Sequence, residues 1–280
     1  AIAMKLKYFN PNIFLYIFEN QAWENAYLSV FKNSKTKTIG YQSSGFSFKF
    51  LNFFPSILDL ENTLFPDKII TVGDYFTKML REFGHYPIPI ETFAALRFDY
   101  PNENGQYIIE VATPKIYRKI LYAFPVHLSQ YPKIIQELSD IFSNTEVEVH
   151  LKFHPLYQAN DVRIELPDNF KVWYGNNKKK LKDMYDVVLF NDNSFGIESL
   201  IEGVKSYEYD INEVYVETRM TNFDIYNNRM DKERLKVLKE QLLSNEYDKL
   251  YSRKLIGNYI NSLYKNYKGI NEQYFLWKDI

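Results

Sequence analysis

Strand-length apolar runs alternate with helical patterns along most of this chain, and that rhythm limits the fold more than any other feature. Residues 12–18 (NIFLYIF) form a continuous apolar run, the mark of a strand buried on both faces. Residues 19–31 follow with Trp23, Ala26, Tyr27 and Val30 at helical spacing. Residues 36–41 (TKTIGY) predict a second strand, closed by the polar turn Gln42-Ser43-Ser44-Gly45. Residues 68–72 (KIITV) predict a third, and Gly73-Asp74 separates it from a helix over 75–83. The second half repeats the pattern. Strands are predicted at 120–124, 146–153 (EVEVHLKF), 170–174, 187–190 (VVLF) and 205–209. Helices are predicted at 132–142, 178–185, 197–202 and through the charged tail 231–267. The lysine-rich 178–185 helix reads as a solvated face.

Strands alternating with helices at these lengths imply βαβ units and parallel sheets. Residues 97–106 (RFDYPNENGQ) gather Pro, Gly and Asn without periodicity and mark a boundary. The expected fold class is therefore α/β, with two Rossmann-like parallel-sheet halves. The first, residues 4–98, shows few strands and is a reduced half. The second is residues 107–225, followed by a helical C-terminal segment, 226–280. Ala1-Ile2-Ala3 ahead of Met4 carries no signal-peptide pattern and reads as foreign to the fold.

Composition removes several classes of function. The 34 Lys+Arg and 35 Asp+Glu give a net charge of -1, which argues against a nucleic-acid partner held by a global basic field. With no cysteine, disulfides, Cys-zinc sites and thiol catalysis are excluded. The four histidines are scattered without metal-ligand spacing, and no GxGxxG, P-loop or GxSxG pattern occurs. No metal and no resident cofactor is expected. No apolar run reaches the roughly 18–20 residues that span a bilayer. The 24 Tyr and 22 Phe fit a compositional bias shared with Ile, Asn and Lys, and an aromatic ligand platform is the other reading.

In open parallel sheets, ligands bind beyond the carboxyl ends of strands. Polar residues at those ends are Glu19 and Glu24, Gln42 and Ser43, His127, Lys152 with His154-Pro155, and the run Asn191-Asp192-Asn193-Ser194-Phe195-Gly196 with Glu198. Lys152 and His154 lie two apart on a strand, so they point the same way and suit two phosphate oxygens. The loop at 193–196 opens a helix, whose N–H groups favour an anion. Ser194 and Gly196 would let a phosphate approach, and Glu198 could accept from ribose hydroxyls. Plainer readings stand beside these: a helix N-cap at Asn193 or Ser194, and a His-Pro turn satisfied by backbone. Glu19 and Glu24 are five apart, roughly 140° around a helix, and share no face.

The ordered set resembles a family. It comprises Phe18-Glu19-Asn20-Gln21-Ala22-Trp23-Glu24, Ile39-Gly40-Tyr41-Gln42-Ser43-Ser44, Pro66-Asp67, Val72-Gly73, Lys152-Phe153-His154-Pro155 and Asn193-Ser194-Phe195-Gly196-Ile197-Glu198. It is similar to GT-B glycosyltransferases of bacterial surface-carbohydrate biosynthesis, in the branch of sialyltransferases, Kdo transferases and CDP-glycerol polymerases. The resemblance spans about residues 12–210. It implies a nucleotide-sugar donor, CMP- or CDP-linked, and a carbohydrate acceptor. Lys152, His154 and Pro155 would form the donor phosphate motif, with Asn193, Ser194 and Gly196 adding to it and Glu198 on the ribose or base. Glu19 or Glu24 would be the general base, and Gln42 and Ser43 would face the acceptor. The acidic pair motif of several sialyltransferase families is not visible. The setting implied is cytoplasmic, at the inner face of the membrane where it is membrane-associated. The alternatives are a CDP-alcohol phosphotransferase of teichoic-acid type and a non-catalytic carbohydrate-binding or scaffold protein of envelope assembly.

Overall fold

The computed structural model describes residues 2–48, 50–96, 115–158, 161–162, 165–175, 180–191, 193–211, 229–249 and 253–264. The chain divides into two compact units, one of Ala1–Ile108 with Gly257–Ile280, the other of Ile109–Ile256.

The first unit holds a four-stranded parallel sheet of β1 (Ile13–Ile17), β2 (Lys37–Gln42), β3 (Lys68–Thr71) and β4 (Ile90–Thr92), in that order across the sheet. Helix α1 (Ile2–Phe9) precedes β1, and α2 (Ala22–Phe31), α3 (Ile57–Asn62) and α4 (Asp74–Phe83) lie in the three connections. Ser56 caps α3 with a capping box to Asp59. Phe46 and Phe53 stack at 4.2 Å in the core of this unit.

The second unit holds six parallel strands: β5 (Lys119–Ala123), β6 (Glu148–Lys152), β7 (Phe170–Val172), β8 (Val187–Phe190), β9 (Lys205–Tyr209) and β10 (Arg229–Met230). Their order is β10-β9-β8-β5-β6-β7. Counted within the unit this is the 3-2-1-4-5-6 order of doubly wound nucleotide-binding sheets, whose direction reverses between β5 and β8. Each residue of β8 is 0% exposed, which is why VVLF carries no polar alternation. Helix α5 (Tyr131–Phe142) starts with Pro132 in its first turn and buries Ile134, Ile135, Leu138 and Ile141. Helices α6 (Phe195–Ile201) and α7 (Lys232–Ser244) complete the unit's described helices, and α8 (Arg253–Leu263) crosses the division.

The two parallel-sheet halves expected from the sequence are present, with four strands against six. Several details differ. Ile2 and Ala3, set aside as foreign, form the start of α1. β4 follows Pro87 and Pro89 and is too short to show alternation. The lysine-rich stretch is no helix in its described part: only a 3-10 turn, Leu181–Asp183, forms there. The C-terminal segment does not stand apart, since α7 belongs to the second unit and residues from Gly257 to the first. The boundary segment 97–106 and Asp192 lie outside the described residues. Among the described residues no helix is long and apolar enough to cross a membrane.

Candidate functional site

The second sheet brings its candidate residues to one edge. Register pairs Ala123 of β5 with Lys152 of β6 on one side and with Phe190 of β8 on the other. The segments leaving these three strands therefore emerge side by side at the carboxyl edge, each about 4.8 Å from the next. That edge includes the switch point between β5 and β8, where such sheets place ligands.

On β6, Val149 and Leu151 are buried in the core, which turns Glu148, His150 and Lys152 to the other face. The Lys152 ammonium lies 4.6 Å from the Phe195 ring centre and 5.7 Å from that of Trp173. These cation–π contacts place it between the ends of β7 and β8. His154 is half-buried. Its carbonyl accepts from the Tyr157 N–H at 2.9 Å, and its Nδ1 accepts from the Leu156 N–H at 3.4 Å. Burial, reinforced by the Lys152 charge, holds its pKa below the usual imidazole value. With Nδ1 accepting from the Leu156 N–H, the neutral form of the ring carries its proton on Nε2. His154 and Pro155 line a cavity of about 450 Å³ whose other walls are Phe153, Tyr157, Gln158, Val172, Trp173 and Tyr174.

The loop after β8 is held differently from its sequence reading. The Asn193 amide donates to the carbonyls of Ala123 (2.9 Å), Asn191 (3.0 Å) and Phe124 (3.3 Å). Its Oδ1 accepts from the Phe195 N–H at 3.0 Å. Asn193 thus ties the loop to β5. Ser194 occupies the N-cap position of α6, but its hydroxyl donates to Glu198 at 2.9 Å. Gly196 is buried, and a Cβ there would lie 2.1 Å from Phe190 Cδ1. Its missing side chain lets α6 pack closely on Phe190 of β8. Ser194 and Glu198 share the edge with Lys152 but lie outside the His154 cavity.

In the first unit, Phe18 donates its N–H to the Tyr41 carbonyl at 2.8 Å, and the chain then turns through Asn20 at φ 51°. Asparagine tolerates that left-handed conformation. The Asn20 amide donates to the Asn52 carbonyl at 2.7 Å, and the Asn52 amide returns a bond to the Glu19 carbonyl. Glu24 closes the turn from inside: its Oε1 accepts from the N–H groups of Glu19 (2.8 Å) and Gln21 (3.0 Å). Glu24 is 3% exposed, and burial raises its pKa against the lowering effect of those bonds. Glu19 is half-buried. Gln42 is fully buried, bonding the Ser44 carbonyl and accepting from the Val72 N–H at 3.3 Å, while Ser43 is half-buried.

No family model and no curated protein sequence matches the chain. Solved structures similar to it include CalG4, the calicheamicin glycosyltransferase, at 10% identity and TM-score 0.49 over 90% of this chain and 68% of that one. A variant of the wall teichoic acid polymerase TagF matches at 11% identity and TM-score 0.49 over 94% and 71%. The lipopolysaccharide outer core galactosyltransferase WaaB, apo form, matches at 11% and 0.48 over 100% and 78%.

Sequence reasoning passed over Tyr157, Trp173 and Tyr174, which wall the cavity. Their signal was position: Trp173-Tyr174 directly follows β7 at the ligand-bearing edge, and Tyr174 is 80% exposed.

Proposed function

We propose that this chain is a glycosyltransferase that moves a sugar from a nucleotide-activated donor to a carbohydrate acceptor. The observation that carries the reading is the grouping of Lys152, His154 and an aromatic cavity at the carboxyl edge of a doubly wound sheet. The Lys152 ammonium and the His154 Nε2–H would receive the donor's phosphate oxygens. Trp173 and Tyr174 offer flat apolar faces for its base. The Ser194–Glu198 pair supplies hydroxyl and carboxylate groups for its ribose. The donor class that fits the resemblance is a cytidine nucleotide.

In transfer, the acceptor oxygen bonds to the anomeric carbon while the bond from that carbon to the phosphate oxygen breaks. The phosphate keeps the electron pair, and Lys152 and His154 stabilise its growing charge. A carboxylate takes the acceptor proton. Glu19 fits that task better than Glu24, whose Oε1 is engaged by two backbone N–H groups. Ser43 is the acceptor-side candidate left open, because Gln42 is buried and bonded. A cytoplasmic setting, with contact at the membrane's inner face, belongs to the same reading.

The test is a thermal-shift and transfer assay. CMP or CDP at 100 times its Kd should stabilise the fold by about 2.7 kcal/mol. His154→Ala should lower turnover by about 10²–10³-fold while keeping the fold. No shift with any nucleotide at millimolar concentration would reject the reading. A phosphodiester product in place of a glycoside would move the chain to the CDP-alcohol phosphotransferases.

A further inference from the structure

We propose that Tyr131 is the positioning residue that holds His154 ready for the donor phosphate; this rests on the donor site argued above. Tyr131 opens α5 and is 0% exposed. Its ring lies 4.3 Å from that of Phe124 and stacks on Phe153 at 5.7 Å. A phenylalanine would fill the same space, so packing does not account for the hydroxyl. A buried hydroxyl is costly unless it is bonded, so where its bonds go is informative.

Both go to backbone at the carboxyl edge. The Tyr131 hydroxyl donates to the Pro125 carbonyl at 2.8 Å and accepts from the His154 N–H at 3.3 Å. Pro125 belongs to the segment leaving β5 and His154 to the segment leaving β6. One buried oxygen thus joins two loops of the candidate site. It acts together with the tight turn at His154, whose carbonyl and Nδ1 are engaged by Tyr157 and Leu156. With the His154 N–H anchored from below and Nδ1 taken up by the turn, Nε2 is the ring nitrogen left to face an anion. Tyr131 is buried too deeply to touch that ligand. Of the two loops it joins, the one carrying the phosphate-facing side chain is that of His154, so its effect on binding is read through His154.

The test is a double-mutant cycle with Tyr131→Phe and His154→Ala, measuring CMP and CDP affinity by calorimetry. Tyr131→Phe should weaken nucleotide binding about fivefold, the worth of roughly one hydrogen bond. It should have no effect in the His154→Ala background. Unchanged affinity, or an equal loss with and without His154, overturns the proposal. The second readout is the His154 ring signal in NMR, which should move in Tyr131→Phe. If no nucleotide binds the wild type but that signal moves, the donor reading fails and the positioning stands. An unmoved signal rejects the positioning whatever binds. Should Tyr131→Phe not fold, hydrogen exchange of the His154 amide in the wild type decides: slow exchange is expected, and exchange at the rate of an open loop overturns the proposal.

Discussion

Glu148 shows how single charges are settled away from the site. Its carboxylate meets the ammonium groups of Lys119 and Lys171, each at 2.9 Å, and His150 Nε2 at 3.0 Å. Burial pushes its pKa up, yet the bonds from Lys119, Lys171 and His150 outweigh it and hold the group down at about 2. A carboxyl depressed in the folded state adds stability that is full above its ordinary value, about 4.3. That stability drains away as pH falls through about 2. Urea denaturation should show the wild type's advantage over Glu148→Gln shrinking from pH 5 toward pH 2. An advantage that grows on acidification would contradict the assignment. Glu24 and Glu19 separate in the same way. Glu24→Ala removes the carboxylate that closes the turn and caps the Glu19 and Gln21 N–H groups, and should cost about 0.5–2 kcal/mol in denaturant melts. Glu19→Ala should leave stability within about 0.5 kcal/mol while abolishing transfer.

At the scale of elements, α6 depends on the absence of one carbon. Gly196→Ala would force a Cβ against the Phe190 ring and should cost about 1–3 kcal/mol, read as a lower urea midpoint. Here the sequence was only partly readable. VVLF and 205–209 fall on β8 and β9 residue for residue, because central parallel strands demand unbroken apolar or alternating runs that local pattern reveals. Gly196 and Asn193 were visible as loop chemistry, but their partners, Phe190 and the carbonyls of β5, come from pairings no local pattern encodes. The lysine run at 178–185 has good helix formers, and its described part, 180–185, makes a 3-10 turn: Leu181 is buried there, and its N–H is taken by Glu202. Tertiary demand overrides propensity at such a site. Lys152 was legible because strand alternation fixes its direction, whereas His154 lies past the end of β6, in a turn whose geometry alternation does not govern. The aromatic cavity was not legible, because an aromatic-rich composition hides three more rings.

Across the whole second unit, the two edges of the sheet do different work. At the amino edge, Asp186 accepts from the N–H groups of Tyr117 and Lys119 and pairs with Lys249 at 2.9 Å. The Lys249 and Asp186 side chains are 4% and 0% exposed, and Lys249 also donates to the Lys115 carbonyl. Such a pair is costly to break from one side, so Lys249→Met should destabilise by about 3–5 kcal/mol, measured by equilibrium unfolding. Nucleotide should slow hydrogen exchange at 124–131, 152–158 and 193–196 and leave 115–119 unchanged; uniform slowing would contradict a site confined to the carboxyl edge. The amide of Asn193 carries one further implication. Three carbonyl oxygens crowd its nitrogen, so hydrolysis of that amide to an acid, the ordinary ageing of asparagine, would set negative charge against all three at once. A protein stored long enough for this single change would find the latch between its central strand and the neighbouring loop sprung, with every other atom still in place.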